Sequence, residues 1–215
     1  MNISDALDFL TEEMKAHGVE QFDIIGGNSE SSEVSVFEKK IKSIEHSVSQ
    51  GVGVRVFIND NPGYAYTEKL SKEVLSQTVK DAVSHTKLTG ALKIALPSDN
   101  TLPDINLNQY QVGLESVNVE AMKEYSFDVE NFALAADEAI ENVPYLGMGK
   151  DSGMMWLRNS NGLHFHNKRN SISAGIGAVA KKGEMTKMGV YSKVTRDFSD
   201  FDAKFMAEES VRRAL

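Results

Sequence analysis

Cysteine is absent from the 215 residues. That excludes a disulfide framework and any thiolate metal site, and it suits a reducing cytoplasm. A basic excess is missing as well: 23 Lys and Arg stand against 31 Asp and Glu, for a formal net charge of −8. Proteins that grip nucleic acid draw much of their affinity from counterions released by phosphates, and so carry a basic footprint. The basic clusters here are as short as Lys168-Arg169, so no direct nucleic-acid partner is expected. No apolar run approaches the ~18 residues of a membrane span. The opening MNISDALDFLTEEMK is acidic, whereas a secretory signal needs a basic start and an apolar core. These absences point to a cytoplasmic protein without membrane contact.

Chemical signatures are lacking too. There is no His-Glu-x-x-His, Walker A loop or Gly-x-Ser-x-Gly elbow. Gly51-Val52-Gly53 fails as a dinucleotide loop, because the fingerprint needs a third glycine and a helix where Val54 and Arg55 continue a strand. Gly175-Ile176-Gly177 fails in the same way. His164-Phe165-His166 places two imidazoles on one strand face, but no acids nearby complete a metal site, and solvent-side histidines explain the spacing. The expected catalytic and metal residues of this chain are therefore none, and it carries no cofactor of its own.

What is present is strand patterning. In Glu45–Thr67, Val52, Val54, Val56 and Ile58 alternate with Gly53, Arg55 and Phe57, and Asn59-Asp60-Asn61-Pro62-Gly63 is a dense turn signal before Tyr64 and Tyr66. The reading is strand, glycine turn, strand, turn, strand. Before it, Ser4–His17 has helical spacing at Leu7, Leu10 and Met14, with Ser4 as N-cap and Gly18 at C′. Short strands are expected at Phe22–Ile25, Glu33–Phe37 and Ile41–Val48, and a helix at Lys72–Thr86. Leu88–Ser116 holds Pro97 and Pro103 without periodicity and reads as a surface connection. A second helix, Asn118–Glu141, is expected to pack through Met122, Phe132, Ala133, Ala136, Ala139 and Ile140 and to end before Pro144. Strands follow at Met154–Arg158, Leu163–Asn167 (after the hairpin signal Asn159-Ser160-Asn161-Gly162), Ser171–Lys181 and Lys187–Thr195, the last with Met188, Val190 and Val194. The closing helix has Ala203, Met206, Ala207, Ser210, Val211 and Ala214 on one face.

The fold class expected is α+β, as two similar helix–antiparallel-sheet–helix halves forming an internal repeat. The boundaries are 1–88 for the first repeat, 89–117 for a linker and 118–215 for the second. Among residues that could meet a ligand, Arg55 either anchors a carboxylate or peptide carbonyl or stands as a solvated strand residue. Tyr64 and Tyr66 either stack on a ligand or are half-buried sheet tyrosines. Trp156 is expected in the core.

Val36-Phe37-Glu38-Lys39-Lys40-Ile41-Lys42-Ser43-Ile44-Glu45, Gly51 to Phe57 and Gly63-Tyr64-Ala65-Tyr66-Thr67 together resemble the N-terminal part of TldD/PmbA proteins. Asn159 to Gly162, the Ser171–Ala180 strand and Arg196-Asp197-Phe198 fit the same pattern, so the resemblance spans nearly the whole chain. The family is known by an older proposal as modulators of DNA gyrase and by mechanism as metalloprotease subunits acting on unfolded peptides. In the TldD branch the resemblance implies a zinc site, a His-Glu-x-x-x-His helix and a cysteine, in a C-terminal half that this sequence does not reach. The PmbA branch lacks the metal motif and pairs with TldD, and the pattern around Leu107-Asn108-Gln109-Tyr110 is closer to PmbA.

The resemblance thus implies a substrate-channel or assembly part of a peptidase subunit, inactive alone. Its implied partners are a second family subunit, as homo- or heterodimer, and unfolded peptides held by Arg55, Tyr64 and Tyr66. Zinc belongs to the complete protein or its partner. A peptidase of this kind is expected to hold peptide as an added strand. Two other classes stay open: a regulatory protein acting on gyrase, and a stand-alone binding or oligomerisation module.

Overall fold

The computed structural model describes residues 1–98 and 107–215. Pro103 and the rest of 99–106 lie outside the described residues. The elements run α1 (Ile3–Ala16), β1 (Gln21–Phe37), β2 (Lys40–Ile58), β3 (Asn61–Thr67), α2 (Lys72–His85), then α3 (Val119–Ala136), β4 (Ile140–Asn159), β5 (His164–Lys182), β6 (Met185–Thr195) and α4 (Ala203–Ala214). The order helix, three strands, helix thus occurs twice. The strands form one sheet in the order β3-β2-β1-β4-β5-β6. The fold is α+β, built on antiparallel pairing.

Several strands are longer than their sequence pattern. Gly26 and Gly27 lie inside β1, beyond the short strand expected at Phe22–Ile25, and Gly51 lies inside β2, where a glycine turn was expected. Gly26 is there for contact: a Cβ on it would fall 2.6 Å from Leu7 Cδ1 and 2.7 Å from Ile3 Cγ2, so glycine lets α1 lie close on the strand. The same reason hid the first half of β4. Gly147 and Gly153 leave room for the Val34 and Asn28 carbonyl oxygens, at 3.0 and 2.8 Å from a notional Cβ. The hairpin turns are tighter than expected. Glu38-Lys39 and Asn59-Asp60 both have positive φ at two consecutive residues, as a two-residue type I′ turn requires, so Pro62 and Gly63 already belong to β3.

The expected helix Asn118–Glu141 ends earlier. Asn118 caps it, accepting from the Ala121 N–H at 2.9 Å. At Asp137 the backbone turns extended and the side chain accepts from Ala139 N, so the chain leaves the helix for β4. Ile140 and Pro144 are therefore strand residues. Phe132 and Ala136 are exposed, and the packed face is Met122, Tyr125, Ser126, Val129, Glu130 and Ala133. At the N-terminus the cap is Asn2 and not Ser4: Asn2 Oδ1 accepts from Asp5 N.

Two compact units divide the residues. The first comprises Met1–Ser29, Val48–Leu107 and Gly153–Lys168, and the second Glu30–Ser47, Asn108–Ser152 and Arg169–Leu215. In the first, α1 and α2 bury Leu7, Leu10, Met14, Leu75 and Val79 against Phe22, Ile24, Val52, Val54 and Val56, with Trp156 packed alongside. Each large apolar side chain so buried contributes about 1.5–3 kcal/mol. In the second, α3 and α4 bury Met122, Val129, Met206 and Val211 against Val34, Val36, Ile172, Ala174, Ile176 and Ala178.

A shared device seats the closing helix in each unit. On β3, a Cβ at Gly63 would sit 1.9 Å from the Ala82 carbonyl oxygen of α2. On β6, a Cβ at Gly189 would sit 2.1 Å from Ser210 O and 2.3 Å from Ala214 N of α4. Helix backbone rests directly on strand backbone at both places. At the second, Ser210 Oγ donates to Gly189 O at 2.8 Å and accepts from Ala178 N at 3.1 Å, bridging a register pair of β5 and β6. Because Gly189 holds the packed face of β6, Met188, Val190 and Val194 point away from α4 and are exposed.

Candidate functional site

The described residues form a groove of about 460 Å³ within the first unit. Its floor comes from the strand faces turned away from α1 and α2. Period-2 alternation that buries Phe22 and Ile24 puts Asp23 and Ile25 there, and the alternation that buries Val54 and Val56 puts Arg55 there. Register then sets Tyr64 opposite Arg55 and Tyr66 opposite Gly53. The Tyr64 ring crosses Gly53, its hydroxyl 3.0 Å from a notional Cβ, so a larger residue at 53 would displace the ring. Leu157 and Asn159 of β4 complete the floor.

Arg55 is neither free nor merely solvated. Its Nε donates to both Asp23 oxygens, at 3.2 and 3.1 Å, and its Nη2 donates to Asp23 Oδ2. The guanidinium also lies 5.4 Å from the centroid of the buried Phe57 ring. Tyr64 lines the groove. Tyr66 does not, but its ring stacks on Tyr64 with centroids 6.5 Å apart, and it is 72 % exposed.

The remaining wall is the stretch Ile94–Pro97, from the segment read as a surface connection. Three of its carbonyls are held by side-chain amides. Gln21 Nε2 donates to Ile94 O at 3.1 Å, Asn161 Nδ2 to Leu96 O at 2.7 Å, and Asn159 Nδ2 to Pro97 O at 2.7 Å. Leu96 is buried. Asn159 Oδ1 meanwhile accepts from Asn161 N and Leu163 N, so this side chain both folds the β4–β5 turn and ties down the wall.

Sequence patterning brought out Arg55 and Tyr64 but missed Asp23, Gln21, Asn159 and Asn161 as site residues. Asp23 carried a signal, a lone acid inside the apolar run Phe22–Ile25. The amides carried none beyond turn propensity.

The outer edge of β3 is partly covered by the chain that follows it. Pro62 has no N–H to offer, its carbonyl accepts from Thr89 Oγ1 at 2.6 Å, and the Tyr64 carbonyl accepts from His85 Nδ1 at 2.7 Å. Two carbonyls of this edge are thus capped from within the chain.

Other titratable groups serve structure. Burial, then Asp202 and then Tyr191, push the Tyr125 hydroxyl well above the ordinary phenol range, and it donates to Met206 Sδ at 3.2 Å amid the Phe198 and Phe201 rings. Hydrogen bonds from Arg212 and Arg213 hold Glu209 down to about 2 from 4.5. His164 and His166 are exposed on β5. Among the described residues no three His, Cys, Asp or Glu side chains group closely enough to hold a metal ion. No helix among them is long and apolar enough to cross a membrane.

A family profile described as PmbA/TldA metallopeptidase domain 1 matches residues 22–86, and one described as the PmbA/TldA metallopeptidase central domain matches residues 113–215. No protein of curated function matches. Among solved structures, a Thermotoga maritima protein titled for a proposed role as modulator of a DNA gyrase superposes with a TM-score of 0.86 at 15 % identity, covering 99 % of this chain and 48 % of its own. TldE from Thermococcus kodakarensis gives 0.83 at 16 %, covering 95 % and 47 %. A Bacteroides thetaiotaomicron protein with a similar gyrase title gives 0.83 at 16 %, covering 99 % and 48 %. At these identities the superpositions speak for the fold, and this chain spans about half the length of each relative. The two profile matches, which cover most of the sequence, establish that the chain belongs to the PmbA/TldD family of metallopeptidase-domain proteins.

Proposed function

We propose that this chain is the substrate-channel and assembly part of a metallopeptidase subunit that processes or degrades unfolded peptides, and that it holds peptide without cleaving it. One observation carries the reading. The groove is walled by the chain's own Ile94–Pro97, pinned at three carbonyls by neutral side-chain amides, beside apolar side chains and the exposed Tyr64 ring. A groove walled by main chain and apolar side chains asks little of side-chain sequence beyond apolar character, which suits a handler of varied unfolded peptides. Arg55 and Tyr64 contact the peptide inside the groove, and Tyr66 extends the aromatic surface at its mouth.

Amide hydrolysis needs an activated water or nucleophile, a general base and a group that stabilises the oxyanion. The described residues assemble none of these sets. In this reading zinc and the hydrolytic groups come from the part of the relatives' length that this chain does not span, or from a second subunit of the family. The arrangement is cytoplasmic and PmbA-like, with this subunit pairing with a metal-bearing one. A role in modulating gyrase would rest on the names of two relatives, and a net charge of −8 does not favour contact with DNA.

The test sets a mixture of unfolded fluorogenic peptides against three samples: this chain, a protein extended to the length of its relatives, and that protein with a metal-bearing family partner. Turnover is expected only in the extended samples and should vanish with a chelator. Chelator-sensitive turnover by the purified chain alone would overturn the reading.

A further inference from the structure

Resting on that peptide-holding role, we infer that the groove selects the uncharged interior of an extended apolar peptide and not a terminal carboxylate or ammonium. An arginine in a groove at first suggests a carboxylate anchor. Here the anchor is already filled. Asp23 stands on the neighbouring strand with both oxygens on Arg55 Nε and one on Nη2 as well. The pair carries no net charge, so an incoming carboxylate meets attraction from the guanidinium and repulsion from Asp23 at nearly the same distance.

What the pair does offer is a donor beside an acceptor. Asp23 takes two of the five guanidinium N–H groups, and the other three have no protein partner among the described residues. The ionised Asp23 carboxylate, with its side chain 17 % exposed, has lone pairs to spare. A residue in an extended chain presents its own N–H and C=O on the same side, one donor next to one acceptor. That matches the pair in type, where a chain end, all acceptor or all donor, does not. The Phe57 ring, 5.4 Å from centroid to guanidinium, and the Asp23 carboxylate together limit how the guanidinium can turn.

The surroundings agree. Ile25, Tyr64, Ile94, Leu96 and Leu157 give apolar walls, and the amides that grip the wall segment are neutral. A charged terminus would lose hydration there without a net countercharge. A volume of about 460 Å³ lies within the range of ordinary ligand sites.

The experiment is a competition measured by fluorescence anisotropy on the whole chain. A dye-labelled apolar hexapeptide with both ends blocked is displaced by unlabelled copies that are fully blocked, free at the carboxylate, or free at the amine. In the wild-type protein the blocked peptide is expected to bind at least as well as either free form. Asp23→Asn keeps the shape but removes the countercharge, and should turn the preference toward the free carboxylate by about tenfold. Tyr64→Ser, at an exposed side chain, should weaken all three together and so locate the site. Wild-type binding of the free-acid form tenfold or more above the blocked form would overturn the inference while leaving the peptide-holding role standing. Failure of every form to bind the wild-type chain would overturn both. The wild-type comparison decides the matter even if a variant fails to fold.

Discussion

Replacing Gly189 with alanine tests the seating of α4 on β6. The new Cβ would fall 2.1 Å from Ser210 O, 2.3 Å from Ala214 N and 2.7 Å from Arg213 C, all helix backbone with no rotamer to yield. Reaching even 3.0 Å from Ser210 O needs the helix to retreat by about 0.9 Å. A gap of that size forfeits roughly a quarter to a half of the dispersion attraction at each contact. Met206, Ala207, Val211 and Ala214 all depend on those contacts. The Ser210 hydroxyl also leaves the Ala178–Gly189 pair, at about 1 kcal/mol for each of the two hydrogen bonds lost. With overpacking strain the sum is roughly 3–5 kcal/mol, a large share of the ~5–15 kcal/mol that keeps a domain folded. At this chain length it should lower Tm by roughly 6–20 °C. The control is Gly175→Ala, whose Cβ would meet only Ser192 Cβ at 3.9 Å and which should stay within about 1 kcal/mol of wild type. Urea unfolding followed by circular dichroism compares the three proteins. If Gly189→Ala unfolds at the same urea concentration as Gly175→Ala, the backbone-on-backbone seating is wrong.

Gly63→Ala should be at least as costly, since its Cβ would meet the Ala82 carbonyl at 1.9 Å, and the same urea measurement checks it. Glu130, 1 % exposed on α3, accepts from the Lys39 N–H of the β1–β2 turn at 2.9 Å. Glu130→Ala should cost about 1–3 kcal/mol by leaving that N–H unpaired, and Glu130→Gln, which keeps an acceptor, should cost less in the same assay. Glu209 has its acidity shifted from 4.5 down to about 2 by Arg212 and Arg213, so its stabilisation is fully present above 4.5 and fades as pH falls toward 2. The gap in urea midpoint between wild type and Glu209→Gln should therefore close on acidification; a gap that widens there would contradict the assignment.

The sequence disclosed helices better than strands, for a physical reason. The closing helix shows its buried stripe from Met206 to Ala214 directly, because a helix face repeats within one segment. A strand that lies under a helix can use glycine where another would use valine. Gly26, Gly63 and Gly189 mark the tightest approaches of helix to strand, yet in sequence they read as breaks. Asp137 ended α3 by bonding Ala139 N, a local competition that the run of alanines concealed. At the site, alternation placed Arg55 and Tyr64 on one face, but only tertiary pairing could bring Asp23 beside Arg55 from another strand, or Asn159 beside Pro97, 62 positions away.

The wall of the groove is also tied to a chemical clock. A backbone nitrogen attacks the preceding asparagine side chain fastest when that nitrogen belongs to glycine, because no side chain crowds its approach. Asn161 precedes Gly162, and the amide at risk is the one donating to Leu96 O at 2.7 Å. Its product, an aspartate or isoaspartate, has only acceptors to set against that carbonyl. Protein that has aged would lose one of the three ties on Ile94–Pro97 with no change in the gene. Fractions separated by charge after storage should show this stretch exchanging its amide hydrogens sooner than in fresh protein, so the age of a sample becomes a variable in any peptide-binding measurement made on it.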